Sequence, residues 1–187
     1  VNLGQYNCFF NMNNKLKSPV ENFIKWERTK GKETFLIQPV NSKNYEYSWE
    51  KVGEEARKIC NYINSLKLPK YSKIAILSKN CAHWIIADLA IMMSGNISVS
   101  IYANVNGKTA KYILEHSESK LLFVGKLEES DWNQIQGHIP NKIDKVDFGN
   151  YDLDCDYKKW DNIISDYDPV KTFNKINLDD IITIIYT

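Results

Sequence analysis

The chain has 187 residues, 43% apolar and 25% charged, a composition that fits a folded globular domain and excludes a disordered or fibrous one. Lys and Arg number 24 against 23 Asp and Glu, so a net charge of +1 gives no overall field for nucleic acid or an anionic surface as partner. The charge is uneven: residues 144–180 carry a net −5 and residues 1–143 a net +6, and the acidic stretch reads as solvated surface.

In chain order, Pro19 suits the first turn of a helix with Val20, Phe23 and Ile24 on its apolar face, running to about Thr29 and stopped by Gly31. Thr34 to Val40 and Tyr45 to Tyr47 then read as a strand pair across the turn-forming Asn41, Ser42, Lys43 and Asn44. Ser48 caps a helix whose apolar positions Val52, Ala56, Ile59, Ile63 and Leu66 keep the helical period until Pro69. Lys73 to Ser78 is a buried strand, Asn80 the expected cap of a helix from Cys81 to Ser94, and Gly95 its stop.

A strand from Ile97 to Ile101 follows, then a helix from Thr109 to Ser117 with Ala110, Ile113 and Leu114 inward, then a strand from Lys120 to Val124. This β-α-β-α-β order of short apolar strands predicts an α/β fold: a parallel sheet with helices on both faces. A weak strand from Lys145 to Phe148 and a short helix from Tyr157 to Ser165 extend it. The closing run, with Leu178, Ile181, Ile182, Ile184 and Ile185, reads as a strand buried on both faces.

The residues offer little chemistry of their own. The eight glycines stand at least twelve positions apart, which leaves no G-x-G-x-x-G or Walker-type loop. Asp152, Asp154 and Asp156 have the spacing of a calcium loop, but Tyr157 stands where Gly is needed and Ile163 where Glu is needed, so a polar loop is expected. His83, His116 and His138 are scattered and read as surface or structural residues, and Trp26, Trp49 and Trp84 as packing residues. Cys8, Cys60, Cys81 and Cys155 form no C-x-x-C pair, which favours reduced thiols, and no basic-then-apolar leader opens the chain, so a cytoplasmic protein is expected.

The segments YSWEKVGEEARKICNYINSL, KIAILSKNCAHWIIADLAIMMSGNISVSIYANV, KYILEHSESKLLFVGKL and DDIITIIYT, in this order, resemble the amino-terminal region of AMP-forming acyl-CoA synthetases. These are the long-chain fatty-acid CoA ligases of the adenylate-forming superfamily. The likeness covers nearly all of residues 18–187 and is most specific at Ser78-Lys79-Asn80-Cys81 with Trp84, at Tyr112-Ile113-Leu114 with His116-Ser117, and from Asp180 to Thr187. It departs at residues 99–104, which lack the prolines that often flank Tyr102, and at Lys70-Tyr71-Ser72, where Gly-Asp is common. Branches that activate acetate, aromatic acids or amino acids share the same early scaffold.

The resemblance implies an enzyme that activates a fatty acid with ATP and Mg²⁺ to an acyl-adenylate and passes the acyl group to coenzyme A. In the family, the strand resembling IITIIYT runs into a Ser/Thr/Gly-rich loop ending in Lys that wraps the phosphates of ATP. Thr187 is the one nucleotide-binding position carried over, with no catalytic or metal residue in the chain. Residues 1–17 are expected to be an extension and 18–187 the amino-terminal part of the AMP-binding domain, a fragment that stops before the phosphate loop and is inactive alone. The implied partners are fatty acid, ATP and coenzyme A, without nucleic acid and with peripheral membrane association as an option. The rival reading is a non-catalytic α/β module that binds a partner protein.

Overall fold

Ser18 opens helix α1 (Pro19–Lys30) with a capping box: its hydroxyl accepts from the Glu21 N–H at 3.2 Å, and the Glu21 carboxylate accepts from the Ser18 N–H at 2.8 Å. The computed structural model describes residues 16–40, 42–149, 151 and 153–186; Cys8, Asp152 and Thr187 lie outside them. Strands β1 (Thr34–Val40) and β2 (Lys43–Ser48) pair antiparallel. Val40 is already matched with Lys43, and Ser42 has a φ of 61°. Lys43 and Asn44, expected in the turn, are therefore strand residues, because a two-residue connection follows the natural twist of a hairpin.

Ser48 caps helix α2 (Trp49–Ser65) as expected, accepting from the Lys51 N–H at 3.1 Å. Val52, Ala56, Ile59 and Ile63 are all buried. The Arg57 guanidinium ties α2 back to α1 through the Glu27 carboxylate. Phe35 stacks on Trp49 with ring centroids 3.8 Å apart, which holds the hairpin against the start of α2.

The rest alternates: β3 (Lys73–Leu77), α3 (Ala82–Met93), β4 (Ile97–Ile101), α4 (Gly107–His116), β5 (Leu121–Val124), α5 (Glu129–Ile135), β6 (Asp144–Asp147), β7 (Lys158–Lys159), α6 (Trp160–Asp166) and β8 (Thr183–Ile185). The strands β3 to β8 form one parallel sheet in the order β7-β6-β5-β3-β4-β8. Alternate residues feed opposite faces: Ile74 and Ile76 pack with α2, α3 and α6, whereas Ala75 and Leu77 pack with α4 and α5. Both faces are covered over the central strands β3 and β5, which is why these two are apolar runs and not alternating ones. None of the helices of the described residues is long and apolar enough to cross a membrane.

Four expectations need correction. Asn80 does not cap α3; Cys81 occupies the cap position without a side-chain bond, and the Ala82 N–H donates to Gln38 Oε1 of β1 at 3.0 Å. The terminal strand is not buried on both faces: among the described residues β8 lies at the sheet edge beside β4, and Ile181 and Ile185 are 66% and 59% exposed. Helix α6 starts at Trp160 and not Tyr157, because Lys158 and Lys159 pair with β6. The acidic stretch is not wholly solvated, since Asp147 is buried and holds the Lys159 ammonium at 2.7 Å.

Candidate functional site

The chain passes from β3 through α3 to β4, then back across β3 to β5, with α3 and α4 on opposite faces of the sheet. The loops leaving the carboxyl ends of β3 and β4 therefore diverge and open a crevice between them. In open α/β sheets such a switch point is where ligands bind. Here it holds an open cleft of about 730 Å³.

Each wall follows from local structure. Ser78, Lys79 and Asn80 carry the chain out of β3, Trp84 projects from the first turn of α3, Ile101 ends β4 and Tyr102 follows it. Ile185 of β8 closes the far side. Trp84, expected as a packing residue, does both jobs: it is half-buried against the core and lines the cleft. Tyr102 is 61% exposed, so the cleft keeps an accessible aromatic surface.

The electrostatics of the rim are balanced. Lys79 pairs with Glu128 at the start of α5 and holds that exposed carboxyl below its ordinary value. Outside the cleft lining, Asp88, one turn beyond Trp84 on α3, has its carboxyl pushed up by burial. No three His, Cys, Asp or Glu side chains among the described residues converge to hold a metal ion.

The histidines occupy three separate settings. His83 is buried in an aromatic box, stacked on Phe148 with centroids 5.5 Å apart and set edge-on to Trp160 at 5.1 Å. Burial lowers its pKa to about 4, with the Asp147 charge opposing the shift. A structural role, expected from the sequence, fits this setting. His116 ends α4 beside Tyr112 and Tyr186, and His138 lies in a 3-10 turn at Gln136–His138. Of the aspartates with calcium-loop spacing, Asp154 lies in a loop whose carbonyl accepts from Trp132 Nε1 at 3.3 Å.

The sequence-predicted nucleotide residue, Thr187, lies outside the described residues, next to Tyr186. The cleft itself was not foreseen residue by residue. Its signal was topological: a polar Ser-Lys-Asn segment directly after a buried strand, and a second polar loop after the next one.

The profile of the AMP-binding enzyme family matches residues 23–187. Over 98 residues the chain is 24% identical to the long-chain-fatty-acid–CoA ligase ACSBG2 of Xenopus laevis, covering 52% of this chain and 13% of that protein. Over 90 residues it is 31% identical to fatty acyl-CoA synthetase A of Dictyostelium discoideum, covering 46% of this chain and 14% of that one. The match to long chain acyl-CoA synthetase 1 of Arabidopsis thaliana is 29% over 111 residues, covering 58% and 15%. The matches thus span only a small share of these relatives' length.

Among solved structures, the anthranilate CoA ligase AuaEII in complex with anthranoyl-AMP superposes with a TM-score of 0.73 at 19% identity, over 90% of this chain and 31% of that one. A benzoate CoA ligase from Burkholderia xenovorans LB400 gives a TM-score of 0.74 at 12% identity, over 90% and 32%. At these identities the likeness establishes the α/β fold alone.

Proposed function

This chain belongs to the AMP-binding enzyme family, whose profile spans residues 23–187, and on that premise we propose that it serves an AMP-forming acid–thiol ligase. The observation that supports the reading is the cleft at the switch point, where the loops after β3 and β4 part and the end of β8 adjoins them. In the proposed reaction a carboxylate oxygen attacks the α-phosphorus of ATP, and the bond to the bridging oxygen breaks. Pyrophosphate leaves with the electron pair. The sulfur of coenzyme A, its thiol proton released to solvent, then attacks the acyl carbon; the acyl carbon–oxygen bond breaks and AMP departs with the electron pair.

The chain's own contribution is binding and placement. Trp84, Ile101, Tyr102 and Ile185 offer apolar surface to an acyl group. Lys79 is already held by Glu128, so the rim presents an ion pair and not a free cation to a phosphate. No three His, Cys, Asp or Glu side chains converge among the described residues, and none of these roles runs through a metal. We assign residues 18–187 to the amino-terminal part of the AMP-binding domain and Thr187 to the entrance of the phosphate loop, on the resemblance of the closing strand.

For substrate we infer a long-chain fatty acid, the class named for the relatives in Xenopus laevis and Arabidopsis thaliana. Aromatic acids are the alternative, since the superposing ligases are named for anthranilate and benzoate. Free thiols at Cys60, Cys81 and Cys155 favour a cytoplasmic setting, with peripheral membrane contact for a fatty-acid enzyme.

The test is carboxylate-dependent exchange of labelled pyrophosphate into ATP by the full-length protein. Palmitate, acetate and benzoate are compared in parallel. Exchange with palmitate above both others is the expected result, and no exchange with any carboxylate sinks the ligase reading.

A further inference from the structure

Helix α1 turns Val20 and Phe23 into the core and leaves Lys25, Arg28 and Thr29 exposed on its outward side. Both carboxylates of the helix are already engaged. Glu27 holds the Arg57 guanidinium of α2, and Glu21 accepts from the Ser18 N–H at 2.8 Å in the capping box. The Glu21 carboxyl lies below its ordinary value, first through its hydrogen bonds with Ser18 and then through the charges of Lys175 and Lys17. Lys17, Lys25 and Arg28 line an open groove of about 400 Å³ along the helix, with Glu21, Ile24 and Thr29 between them. Over residues 16–32 the cations Lys17, Lys25, Arg28, Lys30 and Lys32 stand against Glu21 and Glu27, a local +3 that the chain's overall +1 conceals.

Apolar groups rise among these charges. Trp26 is 41% exposed, with Lys25 Nζ 5.1 Å and Lys30 Nζ 5.7 Å from the ring centroid. It meets Trp49 at 6.5 Å and keeps much of the indole in solvent. Leu16, directly before Lys17, is 78% exposed. An acidic protein would answer the cations but gives no reason for a bare indole and leucine beside them. A phospholipid surface answers both, since its anionic head groups attract Lys and Arg while its interfacial layer accepts an indole.

We propose that the outward face of α1, with Lys17, Lys25, Arg28 and Trp26, docks on the surface of an anionic phospholipid bilayer. This gives the peripheral membrane contact proposed above a definite face, and rests on that part of the reading and not on the ligase chemistry. The helix stays folded against the core, because Val20 and Phe23 are already buried there. Charge brings the face to the bilayer and Trp26 seats it.

The experiment is co-sedimentation of the full-length protein with phosphatidylserine-containing vesicles and with pure phosphatidylcholine vesicles. Wild type should partition to the anionic vesicles, and added salt should weaken the binding. Each cation near such a surface is worth roughly a fivefold change in partitioning, so Lys25→Gln/Arg28→Gln should bind roughly tenfold to thirtyfold less. Lys108→Gln/Lys111→Gln removes the same charge from exposed positions on α4, across the sheet, and should stay within about twofold of wild type. Trp26→Ala should lose a few-fold. Pyrophosphate exchange without vesicles should be unchanged in K25Q/R28Q.

Equal losses in the two double variants overturn the docking face, because binding would then follow net charge alone. Wild type that ignores both kinds of vesicle, or binds both equally, overturns it too, and in the first case an acidic protein becomes the partner to seek. An inactive wild type that still binds anionic vesicles through Lys25 and Arg28 overturns the ligase reading and leaves the docking face standing.

Discussion

The side-chain carbonyl of Gln38 accepts a 3.0 Å hydrogen bond from the Ala82 N–H, joining the hairpin to the first turn of α3 across 44 residues of sequence. The other end of the same amide donates to the Pro39 carbonyl at 2.8 Å, so the buried side chain has a partner at both ends. Helix α3 has no cap of its own, because Cys81 offers its N–H groups no side-chain acceptor. Gln38→Ala should therefore leave a buried N–H unpaired and destabilise the protein by about 1–3 kcal/mol. Urea unfolding of the variant measures it, and a midpoint equal to wild type would show that the cap is dispensable.

That cap also marks where the sequence was readable. Helix α3 was legible because 82–93 is apolar on nearly every side and closes at Gly95, whose φ of 75° suits glycine. The β-α-β-α-β core was legible for a similar reason: β3 and β5 are apolar runs, and β4 places Ile97, Val99 and Ile101 at alternate positions. Helix α5 was missed because only Trp132 and Ile135 are buried on it, too few positions to set a period. Strand β7 has two residues and no pattern at all. The cap by Gln38 and the cleft share a deeper obstacle, since each joins segments that only the folded sheet brings together. Asp147 looked like one more solvated aspartate until the fold placed Lys159 beside it.

His83 gives the stability curve a predictable slope. Its folded-state pKa is depressed to about 4 from 6.5, so between these values the unfolded chain binds a proton that the native one refuses. The stability contributed by neutral His83 is complete above pH 6.5 and drains as pH falls toward 4, by about 3 kcal/mol in all. Glu55 and Asp88, pushed up by burial, shift stability in the opposite sense but are common to both proteins in a comparison. The stability gap between wild type and His83→Gln should thus narrow across this window. Parallel curves of unfolding free energy against pH would refute the assignment.

Trp84 connects the core to the proposed acyl site. In the full-length protein, Trp84→Ala removes apolar wall from the cleft, a loss on the order of 1–2 kcal/mol of ligand contact. The carboxylate KM in pyrophosphate exchange should rise roughly tenfold while KM for ATP stays within about twofold. Trp84→Phe should fall between. Equal shifts in both constants would mean that the residue supports the fold and not the substrate.

Gly125 follows the last residue of β5, and its N–H donates to the Leu77 carbonyl at 3.1 Å. A Cβ there would overlap the Phe148 ring and stand 2.9 Å from Ser78 Oγ. The ring has nowhere to retreat: it is fully buried, with Phe123 at 6.0 Å, His83 at 5.5 Å and Trp160 at 5.3 Å. Gly125→Ala should cost about 3 kcal/mol, the upper end of ordinary overpacking. Phe148→Leu, which shortens the obstructing side chain, should make the same glycine substitution cheaper, so the double variant should be more stable than the sum of the two single losses predicts. Thermal or urea unfolding of the three variants supplies the comparison. Additive losses would show that the strain lies in the backbone at Gly125 and not against Phe148.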